Sequence, residues 1–282
     1  MIQDIYPHKL NNHYRPEVKP DEDSVVFCFD GDSVLVKEEE SFPIVRDFNL
    51  LDKDELIYLF SVDEDKTFFL LRDLNKAASL APAGFSFINI RSLRRSGVLD
   101  KCSVFAAFTA LHLSHWYENN KYCGRCGART FLDDKERALK CSCGNTVYPR
   151  LAPAVIVGVL NKDKMLVTKY NRGYQNFALV AGFTEIGETL EECVAREVME
   201  ETGLKVKNIR YYKSQPWGIV DDILTGFYCD VDGSDAITMD ESELKVAEWR
   251  TKEDIELQPD DFSLTNEMMK MFKEGKLKAF HN

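Results

Sequence analysis

The segment GFTEIGETLEECVAREVMEETGL, residues 182 to 204, places seven glutamates in one predicted helix and the loop before it. Thr189 and Glu192 have the spacing of a capping box, which predicts the helix start, and Gly203 predicts its end. Like charges at helical spacing repel each other, so this sequence needs either a fully solvated face or a bound cation. The positions of the apolar residues decide between the two.

A helical wheel places the key glutamates on the apolar side of this helix. With Glu197 as zero, at about 100° per residue, Glu200 and Glu201 fall about 60° to one side and about 40° to the other. The same arc contains Leu190, Cys193 and Val194. Carboxylates on an apolar face are costly unless they are paired or bind cations, and their oxygens suit Mg²⁺ or Mn²⁺. The segment therefore predicts a divalent-metal site suited to phosphate chemistry, with Arg196 placed to hold a carboxylate.

Four of the eight cysteines form two close pairs, in CGRCG at 123–127 and CSCG at 141–144. Paired thiolates followed by glycines are typical of a tetrahedral structural zinc site. Its ligands would be Cys123, Cys126, Cys141 and Cys143. The second pair has one intervening residue instead of two, and a redox dithiol is the alternative, but two bunched pairs favour zinc. Seven Lys and Arg between residues 119 and 150 form a basic surface, which is either simply solvated or able to contact RNA or a phosphate.

The remaining patterns predict three regions, with boundaries at 1–118, 119–150 and 151–282. The first combines a hairpin that turns at residues 63–65 with a helix capped by Ser103, and we expect an α+β fold. This helix carries His112 and His115, which could share a metal, although ordinary surface or core positions are favoured. In the last region, strands on both sides of the glutamate helix and a final helix from Ser263 predict an α/β sandwich.

Composition limits the classes of function. The net charge of −11 disfavours general binding to a nucleic-acid backbone, unless cations bridge the repulsion. No apolar run approaches the length needed to cross a bilayer, and the first residues lack a signal-peptide pattern, so we expect a soluble, cytoplasmic protein without membrane contact. The other four cysteines, Cys28, Cys102, Cys193 and Cys229, are scattered. Cys28 and Cys229 lie in strand-like segments and are expected to be buried and unreactive.

The glutamate segment matches every defined position of the Nudix box, G-x5-E-x7-R-E-U-x-E-E-x-G-U, in which U is a bulky aliphatic residue. The matching residues are Gly182, Glu188, Arg196, Glu197, Val198, Glu200, Glu201, Gly203 and Leu204. The chain thus resembles Nudix hydrolases, which use Mg²⁺ or Mn²⁺ to cleave a nucleoside diphosphate linked to another group. The resemblance implies that Glu197 and Glu201 are metal ligands. It also implies that Glu200 is a further ligand or helps to deprotonate water.

A second resemblance, to the NADH pyrophosphatase subfamily, comes from SQPW at 214–217, the cysteine module and YPR at 148–150. It implies a Nudix α/β/α sandwich with a zinc ribbon and an N-terminal Nudix-like α+β domain. It also implies metal ligation by Glu243 and by the carbonyl of Ala181. The residues that it implies for substrate binding are Glu136, Tyr148, Phe183, Gln215, Pro216 and Trp217.

One departure from the subfamily follows SQPW, where GIVDD stands in place of the usual PFPxS. Gly218 replaces a stiff proline and frees the backbone, while Asp221 and Asp222 add negative charge that disfavours a nearby phosphate. We therefore expect only modest selectivity for NADH over NAD⁺ or ADP-ribose.

The resemblance implies hydrolysis of NAD(H) to AMP and nicotinamide mononucleotide, and the same cut would remove an NAD cap from the 5′ end of RNA. Cations held by Glu197, Glu201 and Glu243 would neutralise the diphosphate and activate water. A homodimer is also implied. The alternatives are another Nudix substrate, such as ADP-ribose, a dinucleoside polyphosphate or FAD, and a nucleotide- or RNA-binding regulator without catalysis. The intact box argues against the regulator.

Overall fold

The computed structural model describes residues 1–37, 40–48, 51–73 and 84–277. The chain divides into two compact units. We call Gln3–Arg150 with Trp217–Asp221 the amino-terminal unit, and Met1–Ile2, Leu151–Pro216 and Asp222–Asn282 the carboxyl-terminal unit. The first two predicted regions thus lie in one compact unit, and the three predicted boundaries remain predictions. None of the helices in the described ranges is long and apolar enough to span a membrane.

In its described residues, the amino-terminal unit consists of short strands and two α-helices. In chain order they are β1 Leu10–Asn11, β2 Val25–Phe27, β3 Phe29–Asp30, β4 Ser33–Lys37, β5 Leu56–Val62, β6 Lys66–Leu71, β7 Phe85–Asn89, α1 Ile90–Ser96, α2 Lys101–Asn119, β8 Phe131–Leu132, β9 Leu139–Lys140 and β10 Thr146–Val147. Single-turn 3₁₀ helices cover Val45–Asp47 and Lys53–Glu55. The strands form three sheets, ordered β1-β5-β6-β2, β3-β4-β7 and β10-β9-β8. The α+β prediction is confirmed.

Two local predictions in this unit have different outcomes. The hairpin is confirmed, because β5 pairs antiparallel with β6 and the turn residues Asp63 and Glu64 have φ of 54° and 64°. The predicted helix cap was wrong. The carboxylate of Asp100 accepts the backbone N–H of Ser103 at 2.7 Å, so Asp100 caps α2 and Ser103 lies in its first turn.

A six-stranded mixed sheet forms the centre of the carboxyl-terminal unit. Its elements are β11 Ala152–Asn161, β12 Lys164–Tyr170, β13 Val180–Phe183, α3 Leu190–Thr202, β14 Val206–Trp217, β15 Asp222–Val231, β16 Leu244–Thr251 and α4 Leu264–Lys273. The order is β14-β15-β11-β12-β16, with β13 paired to β11. β11 is parallel to β15 and antiparallel to β12 and β13.

Alternating residues of the central strand build two separate cores. Val155, Val157 and Val159 of β11 belong to a buried cluster with Cys193, Val194 and Val198 of α3. Ile156, which points to the other face, belongs to a second cluster with Leu264, Met268 and Met269 of α4. Side chains of a strand point alternately to opposite faces, so a strand that is apolar throughout needs cover on both. The α/β sandwich predicted from the sequence is confirmed.

The predicted ends of α3 are also confirmed. Thr189 and Glu192 form the reciprocal capping box, and Gly203 adopts the left-handed conformation with φ of 70°. These two ends fix which residues of the helix face the sheet, and so they fix where the glutamates of its inner edge lie.

Candidate active site

The first glycine of the Nudix box permits close contact between β13 and α3. A Cβ atom on Gly182 would lie only 1.9 Å from Cδ of Glu197, so any side chain there would displace the carboxylate. Glycine at this position therefore lets the Glu197 side chain lie directly against the strand. The neighbouring Ala181 occupies the middle of β13, and its carbonyl as a metal ligand remains a prediction.

Arg196 organises the carboxylates around it. Its Nε and Nη2 donate to the two oxygens of Glu188 at 2.7 and 2.8 Å, and Nη2 also donates to the carbonyl of Phe183 at 2.9 Å. Its Nη1 donates to Glu197 at 2.7 Å and to Glu200 at 3.0 Å. The guanidinium, together with the backbone N–H of Glu185, lowers the pKa of Glu188 to about 2. Glu188 therefore stays ionised and paired with Arg196, and Arg196 in turn holds the Glu197 carboxylate in position.

Glu201 is the most unusual carboxylate of the site. Its residue is 2% exposed, and neither carboxylate oxygen accepts a well-formed hydrogen bond from the described part of the chain. Burial raises its pKa to about 8, with further contributions from Glu197 and Glu243, and the Ala181 N–H opposes this only weakly. Burial also raises the pKa of Glu197, against the effect of Arg196. Buried carboxylates are normally paired. Arg196 pairs with Glu197, so Glu201 is the carboxylate that lacks a compensating positive charge among the described residues.

Tyr170 is a site residue that the sequence did not reveal. It ends β12 opposite Leu244, which follows Glu243. Burial raises the pKa of its hydroxyl, and Glu201, Glu243 and Glu197 raise it further in that order. The charges of all three carboxylates therefore act on this hydroxyl. Only the pairing of β12 with β16 brings it there, so no motif could have identified it.

These observations fit a divalent cation. The buried oxygens of Glu201 have no well-formed hydrogen-bond partner in the described ranges, and Glu197 lies beside Gly182. Glu243, the residue before β16, raises the pKa of Glu201 through its negative charge. The donors are all carboxylate oxygens, which suit Mg²⁺ or Mn²⁺ rather than a soft metal. Glu200 differs from them because its side chain is 59% exposed.

Two predicted substrate residues of the carboxyl-terminal unit have different surroundings. Phe183, at the end of β13, is 54% exposed and free to stack on a ligand. Gln215 is fully buried. Its amide donates to the carbonyl of Phe262 and accepts the N–H of Leu264, both at 2.7 Å. The Gln215 amide thus secures the start of α4, and a direct contact between Gln215 and a nucleotide remains a prediction. Pro216 follows it in β14.

The other predicted substrate residues lie in the amino-terminal unit. The hydroxyl of Tyr148 donates to Glu136 at 2.8 Å. Trp217 packs edge-on against Phe108 at 5.6 Å between ring centroids, and the guanidinium of Arg94 lies 5.1 Å from the Trp217 ring. Substrate contacts by Glu136, Tyr148, Pro216 and Trp217 remain predictions.

The structure corrects our interpretation of the GIVDD segment. A Cβ on Gly218 would lie 2.1 Å from the carbonyl oxygen of Phe108, so this glycine allows close packing on α2 instead of freeing the loop. Asp221 accepts a hydrogen bond from His115 Nδ1 at 3.2 Å, so its charge faces a histidine. Asp222 is 4% exposed. Glu118 of the same helix pairs with Arg72 and Lys121, and the tertiary structure brings Asp221 to His115.

The four cysteines of the module come together as predicted. The Sγ atoms of Cys123 and Cys143 are 3.7 Å apart, and those of Cys126 and Cys141 are 3.4 Å apart. All four ligand atoms lie within 4.8 Å of one another. Tetrahedral Zn–S bonds of about 2.3 Å require sulfur atoms about 3.8 Å apart, whereas a disulfide requires about 2 Å. The residues therefore fit zinc, and backbone N–H groups lower the pKa of Cys123, which favours the thiolate.

Sequence profiles of known families match almost the whole chain. The NUDIX domain matches residues 150–271, the NADH pyrophosphatase zinc ribbon domain 118–148 and the NADH pyrophosphatase-like rudimentary NUDIX domain 23–116. The chain belongs to the NUDIX family. Its combination of three domains is that of the NADH pyrophosphatase group, which confirms the resemblance seen in the sequence.

Individual relatives agree with this assignment. The chain is 40% identical over 170 residues to proteins named NAD-capped RNA hydrolase NudC from Shigella boydii and Escherichia coli K12. The match covers 60% of this chain and 66% of those relatives, so it spans just under two thirds of their length. Among solved structures, a NUDIX hydrolase from Nitrosomonas europaea matches 55% of this chain and 91% of its own, with 21% identity and a TM-score of 0.48.

Proposed function

We propose that this protein hydrolyses the pyrophosphate bond of NAD(H), releasing AMP and nicotinamide mononucleotide, and that it removes NAD caps from RNA by the same cut. The observation that carries the proposal is the buried Glu201 carboxylate without a partner, beside Glu197 and Glu243. The zinc ribbon and the rudimentary NUDIX domain of the NADH pyrophosphatase type support the substrate class. So do the names of the relatives.

In this mechanism, Glu197, Glu201 and Glu243 would hold Mg²⁺ or Mn²⁺, and the bound cation would supply positive charge to neutralise the diphosphate and to activate water. Arg196 keeps Glu197 in position while Glu188 anchors Arg196. Glu200, the exposed carboxylate, accepts the proton of the attacking water at the solvent side. Because Glu201 is buried, little water would screen its charge, and its attraction to a cation would be stronger than at the surface.

Outside these carboxylates, the exposed Phe183 ring stacks on a base or on the nicotinamide. Further contacts come from Glu136, Tyr148, Pro216 and Trp217. We also propose that the protein works as a cytoplasmic homodimer. Sedimentation of the purified protein tests the dimer, and a monomer across the micromolar range would contradict it.

The test is turnover of a substrate panel with Mg²⁺ or Mn²⁺, with products separated by chromatography. NADH and NAD⁺ should give AMP and the matching mononucleotide, and NAD-capped RNA should give RNA with a 5′ monophosphate. Rapid turnover of ADP-ribose, FAD or a dinucleoside polyphosphate without NADH cleavage would assign a different Nudix substrate. Nucleotide binding without hydrolysis would support a regulator instead.

A further inference from the structure

The zinc ribbon exposes an aromatic residue directly opposite a cation. Tyr122 and Arg129 form an antiparallel bridge. The backbone hydrogen bonds from Cys123 N–H to Ala128 and from Thr130 N–H to Lys121, at 2.8 and 3.0 Å, lie on either side of this pair. This is the pattern of a non-hydrogen-bonded pair, in which the two side chains are closest. Tyr122 and Arg129 therefore stand side by side on one face.

A second row repeats the arrangement. Phe131 lies two residues after Arg129, which places both on the same face of an extended segment. Phe131 is paired with Lys140 of β9, and Lys140 is paired with Thr146 of β10. Cross-strand partners share a face, so this face carries one aromatic–cation row after another. The rows are about 6.8 Å apart, which is twice the rise of about 3.4 Å per base in a stacked strand.

The side chains of this face are available to a ligand. Tyr122 is 66% exposed and Phe131 is 55% exposed, whereas the neighbouring Leu139 is 1% exposed and supplies the core beneath the face. Among the described residues, Arg129 forms no side-chain hydrogen bond or ion pair. Lys140 is partly neutralised by an ion pair with the buried Asp133. Of the two cations on this face, Arg129 is therefore the one whose charge is not neutralised by a described neighbour.

The chemistry of this face favours one kind of partner. Between residues 119 and 150 there are seven Lys and Arg against three Asp and Glu, although the whole chain has a net charge of −11. An acidic chain that concentrates cations beside exposed rings has the composition of a platform for single-stranded nucleic acid, where bases stack on the rings and cations meet the phosphates. A lipid surface would not need alternating rings, and a protein partner would not need the excess of positive charge.

We propose that this aromatic–cation face, formed by Tyr122, Arg129, Phe131 and Lys140, binds the single-stranded RNA that follows the NAD cap of the substrate. The choice of RNA over DNA rests on the proposed function. The binding itself follows from the face and does not depend on catalysis. The zinc ribbon thus has a role in substrate recognition besides any role in stability.

The first experiment measures binding of an uncapped, 5′-hydroxyl single-stranded RNA by fluorescence anisotropy, with zinc-loaded full-length protein. Because the probe has no pyrophosphate, the result is independent of hydrolysis. Replacing Phe131 by Leu should weaken binding roughly 5- to 100-fold and leave the salt dependence unchanged, as expected for a lost stacking contact. Arg129→Gln should also weaken binding, and it should reduce the slope of log K against log salt by about 0.7, as expected for one lost phosphate contact.

Matched controls lie in the carboxyl-terminal unit. Lys164→Gln removes an exposed charge, and Tyr211→Leu removes a ring that is 57% exposed; both should bind the probe as the wild type does. Zinc content and the melting temperature of each variant must match the wild type. If Phe131→Leu loses zinc, Tyr122→Leu takes its place, and Arg129→Gln still tests the charge.

The second experiment separates this inference from the proposed function. KM for NAD-capped RNA should rise in Arg129→Gln and Phe131→Leu, whereas kcat and KM for NADH should not change. Unaltered RNA binding in both variants would overturn the proposal, as would no binding at low salt or equal binding of an RNA duplex. NADH hydrolysis without RNA binding would leave the proposed function in place, and RNA binding without hydrolysis would refute only the function.

Discussion

The cysteine cluster and the glutamate cluster are both built for a cation, but they depend on the fold in opposite ways. The four thiolates come from residues 123 to 143, joined by two-residue strands with few buried side chains. The glutamates come from α3 and the start of β16, elements that two large apolar clusters hold in place. In the cysteine cluster the ion stabilises the local fold. In the glutamate cluster the fold holds carboxylates close together, where a cation can bind them.

This difference also explains the ligand types. A short loop with almost no core needs strong bonds to a soft donor, and zinc thiolate sites contribute folding free energy outright. A rigid sheet and helix can hold buried carboxylates that repel one another, because the apolar cores stabilise the unit independently. We therefore expect the carboxylate site to bind and release hard cations without loss of structure.

The largest expected effect is loss of zinc from the ribbon. Cys141→Ser should abolish stoichiometric zinc and unfold residues 119–150, since structural zinc binding contributes about 10–16 kcal/mol in small modules. Metal analysis and hydrogen exchange measure this. Cys102→Ser, which removes a partly exposed cysteine outside the cluster, is the control and should keep its zinc. Protected amides in a zinc-free ribbon would show that the module folds without the ion.

Glu201→Gln should lower kcat for NADH by about 10²- to 10⁴-fold, because the amide keeps its size but loses the anion. The metal-free variant should melt at the wild-type temperature or above it, since a buried, unpaired carboxylate has been removed. Glu191→Gln on the exposed side of α3 is the matched control. Wild-type turnover in a folded Glu201→Gln protein would remove Glu201 from the mechanism.

The carboxylate site should also respond to pH. Because the pKa of Glu201 is about 8, against an ordinary value of 4.5, the metal-free protein keeps this carboxyl protonated below pH 8. A cation must displace that proton, so apparent Mn²⁺ affinity should fall about tenfold per pH unit between 8 and 6. The folded-state pKa is raised, so Glu201 favours the metal-free fold below about pH 4.5, and this contribution is lost as the pH rises through about 8.

Calorimetric Mn²⁺ titrations at pH 6, 7 and 8 measure this dependence. Glu201→Gln should bind Mn²⁺ more weakly at each pH, with a much flatter profile. An equally steep profile in that variant would assign the titration to another group.

The smallest expected effect distinguishes two glycines of the Nudix box. Gly182→Ala should weaken Mn²⁺ binding about 10- to 100-fold, the usual range for a displaced supporting contact, because its Cβ collides with the Glu197 carboxylate. A Cβ atom added to Gly187 would meet no atom within 4 Å, but the backbone of this residue has a φ of +92°. Gly187→Ala should therefore cost about 1 kcal/mol of stability and leave metal affinity unchanged. Equal metal affinities in the two variants would contradict the close contact at Gly182.

Local sequence determined those features of this protein whose interacting residues lie close together in the chain. The capping box at Thr189, the stop at Gly203 and the cysteine pairs all formed as predicted, because each depends on spacing within one turn or one loop. The order of strands and helices likewise predicted the α/β sandwich, in which two apolar clusters involve opposite faces of β11.

Tertiary structure alone decided which of these residues meet others far away in the chain. The pairing of β12 with β16 placed Tyr170 opposite Leu244, next to Glu243. The start of α4 engaged the amide of Gln215 in hydrogen bonds to Phe262 and Leu264. Gly218, predicted from the sequence to free the backbone, instead allows close packing of the chain against the Phe108 carbonyl of α2. Sequence spacing specifies a turn or a ligand pair, but burial, and with it the raised pKa of Glu201, depends on every element that excludes water from the same place.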